Sequence, residues 1–88
     1  MSTPMEKALE NLDRVIEKVS DEAAKKRLGE ARKKIWLRTK TGKPMALETQ
    51  AVTENILEAS DIEYALSELE AHVDKITEES RRRSMVVT

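Results

Sequence analysis

Apolar side chains recur along this chain at steps of three and four, the spacing that lines one side of an α-helix. In the first such stretch Met5, Leu9, Leu12, Ile16 and Val19 follow one another at four, three, four and three residues. Thr3-Pro4-Met5-Glu6 supplies a start. The Thr3 hydroxyl can accept from a backbone N–H of the first turn, and Pro4 loses nothing where N–H groups lack partners. Glu6 stands where it can reach back and complete a capping box. A helix is predicted over 4–19.

Ala24, Leu28, Ala31 and Ile35 continue at four, three and four, but the step from Val19 to Ala24 is five residues, which breaks the phase. Ser20-Asp21-Glu22 lies in that gap, with Ser20 suited to cap a second helix and two acids suited to its positive start. The expectation is a tight turn near Ser20 and a helix over 21–39, with one long, phase-slipped helix as the alternative. Gly29 lowers the stability of such a helix without ending it.

Gly42-Lys43-Pro44 ends whatever precedes it, because Pro44 disfavours helical geometry at Lys43 and Gly42 tolerates a left-handed cap. Beyond it, residues 47–82 contain neither Gly nor Pro. Val52, Ile56, Ala59, Ile62, Leu66, Leu69, Val73 and Ile76 form one apolar series, predicting a helix over 47–82. Ser60-Asp61-Ile62-Glu63 repeats the capping pattern and can divide that helix in two.

A competing local reading concerns the middle of the chain. Ile35, Leu37, Thr39 and Thr41 alternate, as do Met45, Leu47 and Thr49, on either side of Gly42, which is the pattern of a β-hairpin at about 35–49. The preferred fold is a single all-α domain, 1–88, of helical hairpins. It has three or four helices, a long C-terminal helix and a frayed tail over 81–88; the alternative is helices plus that hairpin. Ser20-Asp21 and Ser60-Asp61 lie forty residues apart, as do Glu30-Ala31 and Glu70-Ala71. Two related hairpins would produce such matches, and so would a composition rich in Glu and Ala.

Composition changes the picture in one respect. A chain of 88 residues without Cys buries only about two-thirds of its unfolded surface and has no disulfide or thiolate metal site to reinforce it. Self-association or docking onto a larger partner is therefore expected. No apolar run is long enough to span a membrane, and Met1–Pro4 leads into a charged helix rather than a signal sequence, so a cytoplasmic protein is expected.

Charge is strongly segregated behind a net charge of −1. Residues 23–47 hold nine bases against one acid, Glu30, whereas 48–80 hold ten acids against one base, Lys75. The basic stretch either lies beside the acidic one within the fold, fixing orientation more than stability, or faces an anionic partner. The candidate contact residues are Arg32, Lys33, Lys34, Trp36, Arg38, Lys40 and Lys43. Trp36, the only Trp, suits either a core or an interface anchor.

Catalysis is not expected. The chain has one His and no Cys, and its two glycines are isolated rather than part of a phosphate-binding loop. His72, beside Val73, is read as a solvent-facing helical residue. Lys40-Thr41-Gly42-Lys43-Pro44 resembles the loop between helices in the all-helical chorismate mutases. That family places an Asp and an Arg-Glu pair shortly after the loop, whereas 45-MALETQAV-52 holds Glu48 and no Arg, so the likeness stops short of the active site. No cofactor, metal or small-molecule substrate is inferred. The leading reading is a non-catalytic protein–protein interaction module or accessory subunit, docking through the Trp-bearing basic segment and the acidic C-terminal helices. The alternative is nucleic-acid binding of low sequence specificity through residues 25–43.

Overall fold

Four α-helices are joined at two short turns and one longer connection. The computed structural model describes residues 3–40 and 45–86, excluding the side chains of 39, 40, 80 and 82–86. The helices are α1 (Pro4–Lys18), α2 (Glu22–Lys40), α3 (Ala46–Glu58) and α4 (Ile62–Val86). The helix expected over 47–82 is two, divided near Ser60 as the alternative start signal allowed, and α4 runs past the expected end, through Arg81–Arg83 to Val86. Residues 35–40 and 46–49, the described arms of the alternative β-hairpin, are helical. Each arm continues a longer helix that buries its own stripe, Ile35 from α2 and Thr49, Thr53 and Ile56 from α3. That burial overrides the local alternation.

Local chemistry sets the helix starts. Thr3 and Glu6 exchange backbone bonds of 3.1 Å each, the reciprocal capping box of α1. The other two caps are one residue later than the sequence suggests. Asp21, not Ser20, accepts from the Ala24 N–H at 3.1 Å, and Asp61, not Ser60, accepts from the Tyr64 N–H at 3.2 Å. A carboxylate there also complements the positive end of the helix. α3 has no side-chain cap. Met45 starts it in the left-handed region, with φ 55° and ψ 36°.

Among the described residues the backbones of α1 and α2, α1 and α3, α2 and α4, and α3 and α4 lie side by side, while those of the diagonal pairs do not approach within 8 Å. α1 and α3 run in the same direction, since Asn11 meets Thr53 and, further along, Lys18 reaches the Leu57 carbonyl. α2 and α4 do likewise, because Arg27 and then Lys34 border one groove with Glu70 and then Asp74. The result is two layers, α1/α3 over α2/α4. The molecule is 45 × 30 × 16 Å, and its thinnest dimension matches two helix layers about 10 Å apart.

The core lies between the layers: Met5, Ala8, Leu12 and Val15 from α1, Ala24, Leu28, Ala31 and Ile35 from α2, Ile56 from α3, and Ala65, Leu66, Leu69, Val73 and Ile76 from α4. The α2 stripe is the expected one. The α1 stripe is rotated, because Leu9, Ile16 and Val19 are only half-buried while Ala8, Asn11 and Val15 are buried. A narrow seam suits a helix with one neighbour. α1 has two, and its buried arc turns toward α3.

The hairpins bury matching positions on their second helices, but not at the spacing their turns suggest. Their caps are forty residues apart, at Asp21 and Asp61, whereas their cores match at forty-one. Ala24, Leu28 and Ile35 correspond to Ala65, Leu69 and Ile76, all buried. The turn comes one residue earlier in the second hairpin. The Glu30-Ala31 and Glu70-Ala71 match is composition alone, since Ala31 is buried and Ala71 exposed.

Candidate functional site

The exit end of α2 carries most of the candidate residues. Ile35 is fully buried, and each following residue of a helix turns by about 100°, so Trp36 and Leu37 rotate off the core. Trp36 is 42% exposed and Leu37 44%. Leu47, 73% exposed, lies on the first turn of α3, across the connection. Trp36 shares a flank with Arg32, four residues earlier, and Arg32 faces α1, so Trp36 stands at the α1 edge of its helix. Leu37 points outward.

The basic residues divide into committed and uncommitted groups. Arg32 Nε lies 2.7 Å from Asp13 Oδ1 on α1. Arg27 grips α4, its Nε and one terminal nitrogen donating to the two oxygens of Glu70 and its other terminal nitrogen to Glu63. These bonds, Glu70 first, favour the Arg27 guanidinium cation further, and they hold the Glu70 carboxyl below its ordinary range against the opposing effect of burial. Basic α2 therefore does lie beside acidic α4. Lys26, Lys33 and Lys34 are exposed and form no ion pair among the described residues. Arg38 is half-buried and engaged with its surroundings. Lys40 ends α2; its side chain, and Lys43 altogether, lie outside the described residues. On α4, Glu68, Asp74 and Glu78 are exposed, Asp74 at the rim of the groove shared with α2.

A second polar constellation, absent from the sequence reading, lies inside. Asn11 Nδ2 donates to Thr53 Oγ1 at 3.2 Å, and Thr53 passes its own proton to the Gln50 carbonyl at 2.8 Å. Thr49 Oγ1 lies 2.7 Å from His72 Nε2 and 2.8 Å from the Met45 carbonyl. His72 is thus buried, contrary to the solvent-facing reading. Its position next to Val73 puts it on the flank of α4 that meets α3, and a helix enclosed on two sides buries that flank as well. The signal was in the sequence: Ala46, Thr49, Thr53 and Ile56 recur at three, four and three, a stripe hidden by its two threonines.

An open cleft of about 380 Å³ lies where the two hairpin turns meet, between Val19, Ala24, Ala59 and Ile62, with Lys18, Asp21 and Glu63 at its rim. Among the described residues no cluster of His, Asp and Glu could hold a metal ion, and no helix is long and apolar enough to cross a membrane. Compared with known proteins, the chain matches no family model, no curated protein and no solved structure. The fold defines its class: an all-α bundle of two helical hairpins.

Proposed function

We propose that this chain is a non-catalytic docking module, an accessory subunit that binds an acidic protein partner through the exit end of α2. Trp36 and Leu37 provide the apolar contact, with Lys33 and Lys34 as the charged rim. The observation that supports this reading is the division of labour along α2. Arg27 and Arg32 are bound to the protein's own carboxylates, while the next turn presents two large apolar side chains beside two exposed lysines that form no ion pair among the described residues, Lys34 lying near Glu70. Aromatic anchors surrounded by charge carry a large share of binding energy at protein interfaces. The exposed acids of α4 form a second surface, suited to a basic partner.

The test is affinity capture with the wild type, a Trp36→Ala/Leu37→Ala variant and a Tyr64→Ala control. Tyr64 is also exposed but lies at the opposite end of the bundle. Circular dichroism and thermal melting check that each variant is folded. A partner retained by wild type and Tyr64→Ala but lost from the double variant is expected; identical partner sets from all three reject the reading. Direct nucleic-acid binding competes with it and would rest on Lys26, Lys33 and Lys34. It predicts binding to a short duplex at about 50 mM salt that fades steeply by about 200 mM. The inward commitment of Arg27 and Arg32 counts against it.

A further inference from the structure

A helix turns by about 100° per residue, so it presents its back two residues beyond each core position. Two residues beyond the buried positions 24, 28, 31 and 35 of α2 stand Lys26, Glu30, Lys33 and Leu37. Two beyond the buried positions 65, 69, 72 and 76 of α4 stand Ser67, Ala71, Asp74 and Glu78. All eight are exposed, and because α2 and α4 share a layer, the two stripes lie on one broad face of the molecule. Lys26, Lys33, Asp74 and Glu78 take part in no ion pair among the described residues.

The groove between the two helices sets their level. Ala31 and Lys34 border it from α2, Val73 and Asp74 from α4, so residues forty to forty-two positions apart stand side by side. Lys33 is level with Asp74, and Lys26 with Ser67, one turn from both Glu63 and Glu70. A second copy can cover this face by two-fold symmetry in two ways. An axis across the helices lays α2 on α2 and α4 on α4, base on base and acid on acid. An axis along the helices lays the α2 of each copy on the α4 of the other, in the same direction and at the same level. The second arrangement sets base on acid at both places.

We propose that this chain pairs with a second copy of itself through the α2/α4 face, about a two-fold axis running along the helices. Lys33 then faces Asp74 of the second copy, and Lys26 faces the turn between its Glu63 and Glu70. The face is broad enough: the molecule is 45 × 30 Å across its layers, and a standard interface takes about 800 Å² from each partner. Ser67 and Ala71 are small, so the helices can approach closely between the charged positions. Charge selects this arrangement more than it strengthens it, so the dimer belongs at the weak, micromolar end for its area and is sensitive to salt. The pairing names one partner for Lys33 and Leu37, and to that extent rests on the docking surface proposed above; Trp36, at the α1 edge, stays outside it.

Sedimentation equilibrium of the purified full chain tests this. Dimer should form between micromolar and millimolar concentration at about 50 mM salt, and the dissociation constant should rise about tenfold or more by about 500 mM. Lys26→Glu/Lys33→Glu and Asp74→Lys/Glu78→Lys should each be monomeric, with wild-type circular dichroism. Mixed together they should form a one-to-one heterodimer, and the variant carrying all four changes should pair with itself again. Trp36→Ala should remain dimeric. Monomer at every concentration overturns the proposal, and with no other protein present it leaves the affinity-capture test untouched. A dimer indifferent to both reversals also overturns it, since α2 on α2 keeps like charges together in every variant. If a reversal variant does not fold, carbodiimide coupling in a mixture of isotope-labelled and unlabelled wild type decides. Links from Lys33 to Asp74 between differently labelled chains support the pairing; links confined to single chains reject it.

Discussion

Where α1 and α2 bury Ala8 and Ala31, α3 and α4 bury Thr49 and His72, and where α1 buries Leu12, α3 buries Thr53. Both hairpins otherwise keep the same buried Ala, Leu and Ile on their second helix. Inside the first hairpin the packing is mostly apolar area, which is non-directional and tolerates small shifts, with the Arg32–Asp13 pair at its surface. The second relies on hydrogen bonds that close in one register only: Thr53 must meet Asn11 of α1 while Thr49 meets His72 of α4. A slip strands buried polar groups at about 1–3 kcal/mol each. The polar stripe therefore gives α3 its place between α1 and α4.

The largest effect expected tests the equivalence of the hairpins. Leu28 and Leu69 are both fully buried at matching positions. Leu28→Ala and Leu69→Ala should each cost about 3 kcal/mol in urea unfolding, a large part of a stability of about 5–15 kcal/mol. Costs that differ by more than about 1 kcal/mol would break the equivalence. A smaller effect probes the contrast. Thr53→Val removes the acceptor for Asn11 and should cost about 1–2 kcal/mol, whereas Asn11→Leu combined with Thr53→Val should recover most of that loss. A double-mutant cycle with no coupling would show that the stripe does not act as a unit. The smallest effect concerns the exposed side of the apolar hairpin. A Cβ added at Gly29 meets nothing within 4 Å, so Gly29→Ala should raise stability by about 0.5–1 kcal/mol. A loss in thermal melting would reveal a contact that needs the bare backbone.

Much of the fold could be read from particular residues. The Thr3–Glu6 capping box is a local structure, and it formed as its spacing implied. The five-residue step at Val19, with Ser20-Asp21 in the gap, favoured a turn over one phase-slipped helix, and the turn is what forms. The second turn was less plain, since Ile56, Ala59 and Ile62 run through it at steps of three, and only the Ser60-Asp61 start signal showed the break. The α1 stripe was misjudged because Leu9 and Ile16 are larger than Ala8 and fit a seam equally well. Of the candidate site, its place on α2 was legible, but the commitment of Arg27 and Arg32 was not. Those ion pairs link residues nineteen to forty-three positions apart.

The sequence alone marked where α1 starts and, to within a residue, the turns before α2 and α4, because caps and phase breaks act over three or four residues. It also determined that basic and acidic stretches would be separate. Only the tertiary structure decided that Trp36 faces partly outward while His72 faces inward. Each sits one step along the helix from a core position, beside Ile35 and Val73, on a flank whose exposure depends on how closely the neighbouring helix approaches. At His72 α3 closes over the flank, and Thr49 satisfies the ring. At Trp36 α1 leaves the edge part-open, and a large apolar surface stays in water. Helix periodicity fixes the direction of a side chain about its own axis; only the packing of the other helices decides what that direction meets.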